Sequence, residues 1–599
     1  MASSIDPTKP EDGVPAAKAD LRNNLTSAKA EIEHGGFAEG LAPTSYTPAS
    51  SRTKDHLAAI DTALGGKAGA FLELADAPGS YVAQAARFLR VKPDESGLEF
   101  AAAPGGSGGL TGWVDVKSDY GAAGDGVADD TAALQSALSS GASHVYVPAG
   151  DYRITATLNL PVGITLFGAG RDRTRIFTTN SVLLLNVDGG APTQLAGLTA
   201  DAVRGQRYVT LTSTPSGIGD IGESIVILIS TDLWPSNANA YRNYYQTGQY
   251  ARIAGQNGAT LYLADALYDP YVAANTQVGY MPKRPFKLAD LMLENTGGGD
   301  CLNIHHMNGV VIENCHMYGT GPNSTFTIQR SHNVQVNRCT VTSNDTGSQA
   351  YGLIIANAQM VRLFQSVFDS TRHAVTVGGS PGTAYNDAAI VNRDVHMNHC
   401  TFGGRHEDTT NATAGGPDHH GNVEFSTIKH SVVYGGTIDI GGRNNEYSYN
   451  YIHSSAASSG DPTKAAFLIA EPCGSFRIIG NTMYVPGTIH GFQATGASDL
   501  DKISEDPSVI YIANNRIFGP ASALPLVNIE TDGLVTPRLD IVLLGNELSS
   551  RQTLLKVRNK SGTNKVRNIR AKGNFSTEGA VNIDIGTGNI TGTLVQDDF

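Results

Sequence analysis

Residues 417–425 read PDHHGNVEF, with two adjacent histidines set between two acids. Read as a strand, with Val423 and Phe425 facing in, the period-two alternation puts His419 and Gly421 inward. It puts Asp418, His420, Asn422 and Glu424 outward. Two further segments pass the same test. In RHAVTVGG (372–379), Val375 and Val377 face in, so Arg372 faces out and His373 in; a bend before Ala374 would reverse His373. In TIDIGGR (437–443), Ile438 and Ile440 face in, so Asp439 and Arg443 face out. Stacked as neighbouring rungs of one sheet, these strands gather Arg372, Asp418, His420, Glu424, Asp439 and Arg443 into one outer patch, with His373 at its margin.

Acids, imidazoles and guanidinia in one patch suit two chemistries. A glycosidase needs two carboxylates, about 5–5.5 Å apart for retention or about 6.5–9.5 Å for inversion. Asp418 with Glu424 or Asp439 supplies them, and Glu407 and Asp408 sit on an adjacent loop. An eliminating lyase needs a cation on a uronate carboxyl and a base for the C5 proton, which Arg443 or Arg372 and His420 would supply. The balance of carboxylates favours hydrolysis. Ordinary polar decoration of an outer face is the competing explanation, and His419 reads as an interior histidine. Trp234, Tyr241, Tyr244 and Tyr245, in DLWPSNANAYRNYYQTGQY, offer ring faces to sugars or serve as core of their own segment. Thirteen of the sixteen histidines lie between His305 and His490, yet no compact His-x-x-x-His or Cys-x-x-Cys spacing indicates a metal, and no cofactor is expected.

The elements that must hold such a patch repeat. From about residue 300, a polar turn pair followed by a short apolar strand recurs as ENCHMYG, NRCTVTS, QSVFDS, NHCTFGG, YNYIHS, GNTMYV, NNRIFG, GNELSS and GNFST. Aligned, they place Cys315, Cys339, Val367, Cys400, Ser431, Tyr451, Thr482, Arg516, Glu547 and Phe575 in one column, at intervals of 20 to 34 residues. That period suits one turn of a parallel β-helix. The column should point inward and fade where Arg516 and Glu547 interrupt it. Residues 200–285 leave the repeat and read as an inserted β-rich subdomain, which gives 113–199 as the opening of the solenoid with a capping helix, 286–535 as its centre with the glycan site and 536–599 as its last rungs. Upstream, 1–100 carries helical patterns at 16–34 and 56–64, and AAAPGGSGGL opens a flexible linker over 101–112.

Repetition also explains how 599 residues with 68 glycines and 17% charged side chains could build one core. The net charge of −13, with no basic block, argues against nucleic acid as a partner. Apolar runs such as IVILI are too short for membrane insertion, and five cysteines do not form a disulfide framework. The opening MASSIDPTKPEDGVPAAK has no signal-peptide pattern, so folding in a reducing cytoplasm is expected.

The segment WVDVKSDYGAAGDGVADDTAALQSAL, followed by HVYVPAGDYRITATLNLPVGITLFGAG, resembles the opening of pectate-lyase-superfamily β-helices, in particular phage tailspikes and capsule depolymerases. In it Asp129 or Asp130 N-caps the helix TAALQSAL, and Asp115 and Asp125 are structural. EIEHGGFAEGLAP and FLELADAP…FLRVKPDESGLEF look like tail-fibre attachment regions. The resemblance implies an all-β, right-handed, single-stranded parallel β-helix in a homotrimer. It implies a virion tail protein made in the host cytoplasm, mounted on phage baseplate or tail proteins through residues 1–100, that binds and cleaves bacterial surface polysaccharide. A non-enzymatic receptor-binding fibre would share the same segments.

Overall fold

The structure, a computed structural model, describes Arg87–Val91, Leu98–Ala102 and the range 112–597 without 235–243, 323, 345–350, 371, 379–388, 404–415, 455–464, 486–489, 495–507, 520–523, 532–538, 550–552, 560–565, 578–580 and 586–593. The chain divides into two compact units, Met1–Thr111 and Gly112–Phe599. In the first, Arg87–Val91 and Leu98–Ala102 pair antiparallel. The helices expected at 16–34 and 56–64, and most of the linker, lie outside the described residues.

Among the described residues, the second unit is a parallel β-helix built from three long sheets, here sheet 1 with sixteen strands, sheet 2 with fourteen and sheet 3 with thirteen. One turn runs from Asn308–Glu313 in sheet 1 through His316–Gly319 in sheet 2 to Ser324–Gln329 in sheet 3. The next turn repeats it with His332–Asn337, Thr340–Ser343 and Tyr351–Ala356. Alternation drives the closure: Val310, Ile312, Met317, Phe326 and Ile328 all point inward and are fully buried in one continuous core.

The turn between sheets 1 and 2 corrects the repeat alignment. Each copy has a residue of positive φ (Arg338, Gln365, His399, His430, Tyr449, Gly480, Asn514, Gly545 and Gly573 among them). The residue after it points inward, giving Cys339, Ser366, Cys400, Ser431, Asn450, Asn481, Asn515, Asn546 and Asn574, all buried. Val367, Tyr451, Thr482, Arg516, Glu547 and Phe575 belong one position later, on the outer face of sheet 2. The inner column therefore does not fade. It changes from sulfur and hydroxyl to a ladder of asparagines, in which the Asn481 backbone N–H donates to Asn515 Oδ1 at 2.9 Å and Asn515 Nδ2 donates to Asn546 Oδ1 at 3.0 Å. Each amide satisfies backbone groups that the tight turn would leave unpaired.

The helix Thr131–Leu138 packs Leu134, Ala137 and Leu138 onto the first turns of the core. Of the two expected caps, Asp130 stands at the N-cap position without a side-chain bond to the helix, and Asp129 supplies the acceptor. Asp130 turns back to accept from the Ala123 and Gly124 N–H groups at 2.6 and 3.0 Å, and Asp129 accepts from the Thr131 N–H at 3.1 Å.

A separate antiparallel sheet comprises Thr193–Gln194, Tyr208–Thr210, Ile225–Leu233, Tyr245–Asn257, Thr260–Leu263 and Thr276–Met281 around its own apolar cluster. Ala389–Ile390 of the helix joins it in parallel, pairing Tyr245 with Ala389. The sheet is thereby fastened to the solenoid beside the strands that carry the polar patch.

Candidate functional site

Tyr351–Ala356, His373–Gly378, Gly416–His419 and Ile438–Gly442 are successive rungs of sheet 3. Their register sets Ile354, Thr376, Asp418 and Asp439 in one outward column. Two aspartates thus stand on adjacent rungs, whose backbones lie about 4.8 Å apart. Asp418 Oδ2 accepts from Thr376 Oγ1 at 3.3 Å and lies 2.7 Å from His420 Nε2. His373 Nε2 is 4.0 Å from the same oxygen.

His373 reaches this face through a β-bulge. Against Gly416–His419, His373 and Val375 oppose the consecutive residues Gly416 and Pro417, so Ala374 is the extra residue. Ala374 and Val375 both enter the core, and the alternation is broken before them. His373 stacks on Tyr351 with ring centroids 5.8 Å apart, and the Arg372 guanidinium lies 5.0 Å from the Tyr351 ring centre. Burial holds the His373 imidazole below its ordinary pKa.

Glu424 and Arg443 are elsewhere. The chain leaves sheet 3 after His419, and Val423–Glu424 pairs with Asn392 and Arg393 in sheet 1. The nine residues of PDHHGNVEF are therefore two strands separated by a turn at Gly421, and one parity does not run through them. Glu424 accepts from Arg443 Nε and Arg393 Nε, both at 2.8 Å. Asp269, from the insertion, pairs with both arginines. All four groups are buried. The Arg443 guanidinium lies 4.0 Å from the Trp234 ring centre, and that of Arg393 lies 4.8 Å from the Tyr268 ring centre. This network clamps the inserted sheet to the helix. Asp269 and Arg393 escaped the sequence analysis because Asp269 lies 124 residues upstream of Arg393, with no local signal joining them.

The aromatic residues split similarly. Trp234 is buried between the arginines and the turn, donating its indole N–H to Gly421 O at 3.1 Å, so it offers no face to a sugar. Tyr245 is equally buried, and its hydroxyl lies 3.3 Å from His420 Nδ1. Tyr244 meets Tyr245 edge-on and is partly buried. Tyr241, Glu407 and Asp408 lie outside the described residues. His419 points inward, as alternation predicts, with Nδ1 2.9 Å from the Tyr447 hydroxyl; burial pushes its pKa down to about 4.

Asp188, His305 and His306 bring one carboxylate and two ring nitrogens within 4.8 Å of one another. Arg330 donates to His305 Nε2 at 3.0 Å, so the His305 proton sits on Nδ1, which faces Asp188 at 3.8 Å. The two rings stack at 3.9 Å. These features describe a hydrogen-bonded cluster, not lone pairs converging on an ion.

Three stacked parallel sheets with the helix Thr131–Leu138 on the first turns define a parallel β-helix. The chain matches the family described as rhamnogalacturonase A/epimerase, pectate lyase-like, over residues 113–210, and the family Gp49, pectin lyase-like, over 319–525. Its fold is that of solved phage tailspikes. The gp61 tailspike of Pseudomonas phage phi297 aligns with a TM-score of 0.68 at 18% identity, covering 81% of this chain and 84% of that one. The gp54 tailspike of Acinetobacter baumannii bacteriophage AP22, solved with a capsular saccharide, aligns with a TM-score of 0.64 at 18% identity, covering 78% and 77%. The preneck appendage protein of Bacillus phage PZA is 29% identical over 248 residues, 40% of this chain and 26% of that protein. The chain spans 4 to 26% of the length of the curated relatives it matches.

Proposed function

We propose that this protein is a phage tailspike that binds and hydrolyses a bacterial surface polysaccharide, with Asp418 and Asp439 as the paired carboxylates. The observation that carries the reading is the register of Asp418 against Asp439 on adjacent rungs, with His420 Nε2 2.7 Å from Asp418. Hydrogen bonds from Thr376 and His420 favour the ionised form of a carboxylate, so Asp418 is the nucleophile. Asp439 is the acid that protonates the departing glycosidic oxygen and then activates water to release the glycosyl group. The rung spacing of about 4.8 Å is near the separation of about 5–5.5 Å found in retaining glycosidases, so the first product should keep its anomeric configuration. The ion pairs of Arg443 with Glu424 and Asp269 remove it as a cation for a uronate, which weighs against elimination.

Elimination retains one support. His420, oriented by Asp418, could remove a C5 proton, with Arg372 near His373 as the cation. In either chemistry residues 1–100 mount the protein on the phage tail, and the chain acts as a homotrimer at the cell surface.

The test is cleavage of capsular and O-polysaccharides by the full chain, followed by reducing-end assay and ultraviolet absorbance. New reducing ends without an unsaturated uronate chromophore are expected. Asp418→Asn and Asp439→Asn should each lower turnover by about a hundredfold or more. Wild-type rates in both variants would falsify this site, and the chromophore would move the assignment to a lyase with His420 as base.

A further inference from the structure

The inserted sheet supplies a side chain to the catalytic patch. Tyr245 begins the strand Tyr245–Asn257, is fixed by its pairing with Ala389, and extends its hydroxyl to 3.3 Å from His420 Nδ1. The opposite nitrogen, Nε2, lies 2.7 Å from Asp418 Oδ2. The flat of the ring rests on Gly378, where any Cβ would come within 2.6 Å of Nδ1 and 2.8 Å of Cγ. Trp234 of the same insertion holds the carbonyl of Gly421, the residue that follows His420. His420 is therefore gripped from below by the helix and from above by the insertion.

We propose that Tyr245 is a positioning residue that fixes the tautomer and orientation of His420, so that the inserted sheet completes the catalytic centre. This rests on the hydrolase reading above. A carboxylate only accepts, so Asp418 requires the proton of neutral His420 on Nε2, which leaves a lone pair on Nδ1. The Tyr245 hydroxyl donates to that lone pair. It can also accept from Nδ1–H when the imidazole is protonated, so the ring keeps one orientation in both states. Losing the hydroxyl removes a hydrogen bond that opposes a ring flip, which would exchange the two nitrogens and turn a lone pair on Asp418. Among the described residues, Asp418, His373 and His419 are ionisable groups that interact with His420; Arg372 acts on His373 beside it, and Asp439 stands opposite Asp418 on the next rung.

The experiment uses the full chain and purified capsular polysaccharide of the strain whose lawn it clears. Tyr245→Phe keeps the buried ring. It should lower kcat about tenfold with KM within twofold, and move the acid limb of the kcat profile upward by half a pH unit or more. In a His420→Ala background the same substitution should change nothing further, because a residue acting through His420 has no effect once His420 is gone. Wild-type kcat and pH profile in Tyr245→Phe overturn the proposal, as does an equal loss in both backgrounds. A rise in KM alone overturns it in favour of sugar contact. If Tyr245→Phe melts early, 3-fluorotyrosine at 245 keeps ring and hydroxyl while strengthening the donor, and should move the acid limb down; an unmoved limb counts against the proposal. Full activity in both Asp418→Asn and His420→Ala sinks the whole site, whereas their inactivity beside a normal Tyr245→Phe sinks the role of Tyr245 alone.

Discussion

Glu424 and Asp418 are six residues apart and differ in everything that decides function. Asp418 takes hydrogen bonds from a threonine and a histidine on an outer face, while Glu424 is enclosed by two guanidinium groups and answered by Asp269 across the insertion. Removing one member of a buried ion network leaves uncompensated charge and costs about 3–5 kcal/mol. Glu424→Ala should therefore lower the melting temperature sharply, and the fraction that stays folded should still cleave polysaccharide. A stable but inactive Glu424→Ala protein would return that residue to the chemistry. His419 gives a pH signature. Its folded-state pKa is depressed to about 4, against about 6.5 unfolded, so the unfolded chain binds more protons between those values. The stability from keeping it neutral is complete above about pH 6.5 and is lost as pH falls through about 4, a total of about 3 kcal/mol. Melting curves from pH 7.5 to 4.5 should show a steeper decline for the wild type than for His419→Asn, and parallel declines would contradict the argument.

Between residue and fold stands the rung, and there the sequence was legible in part. The turn-plus-strand repeat identifies the solenoid, and hydrophobic alternation places Asp418 and Asp439 outward on neighbouring strands, because parity holds wherever a strand is unbroken. It fails at interruptions. The bulge at Ala374 turns His373 outward, and the turn at Gly421 carries Glu424 into another sheet. The asparagine ladder was missed for a related reason. Asn serves both as a turn residue of positive φ (Asn514) and as an inward ladder residue (Asn515), so aligning polar pairs by type slips by one position. Substitution distinguishes the registers. Asn515→Leu strands the Asn481 N–H and takes one donor each from Asn546 Oδ1 and the Ile478 carbonyl, at about 1–3 kcal/mol for a buried polar group stranded. Arg516→Ala, on the outer face, where the guanidinium pairs with Glu547 in an exposed bridge, should stay within about 1 kcal/mol. Thermal melting of the two variants checks this, and equal effects would undo the assigned register.

Across the whole molecule, sheet 3 holds the candidate site and sheet 2 presents a different surface. Tyr434, Tyr451 and Tyr484 stand on the outer face of sheet 2 at 47, 42 and 41% exposure, and Tyr449 is 56% exposed at the neighbouring turn. The rings stack on one another: His430 on Tyr449 at 5.2 Å and His453 on Tyr484 at 4.9 Å, each pair 8° from parallel. One face each of Tyr449 and Tyr484 is therefore covered by a histidine, and the exposed rings together form an apolar strip along successive rungs. Extended apolar patches of this kind mark protein contacts. In the proposed homotrimer this strip faces the neighbouring copies, which leaves sheet 3 outward for polysaccharide. Light scattering of the full chain at micromolar concentration should give three times the chain mass, and Tyr451→Glu combined with Tyr484→Glu should release folded monomers by placing charge in the contact. A monomer mass for the unmutated chain refutes the trimer. A trimer that survives both substitutions moves the contact to another face.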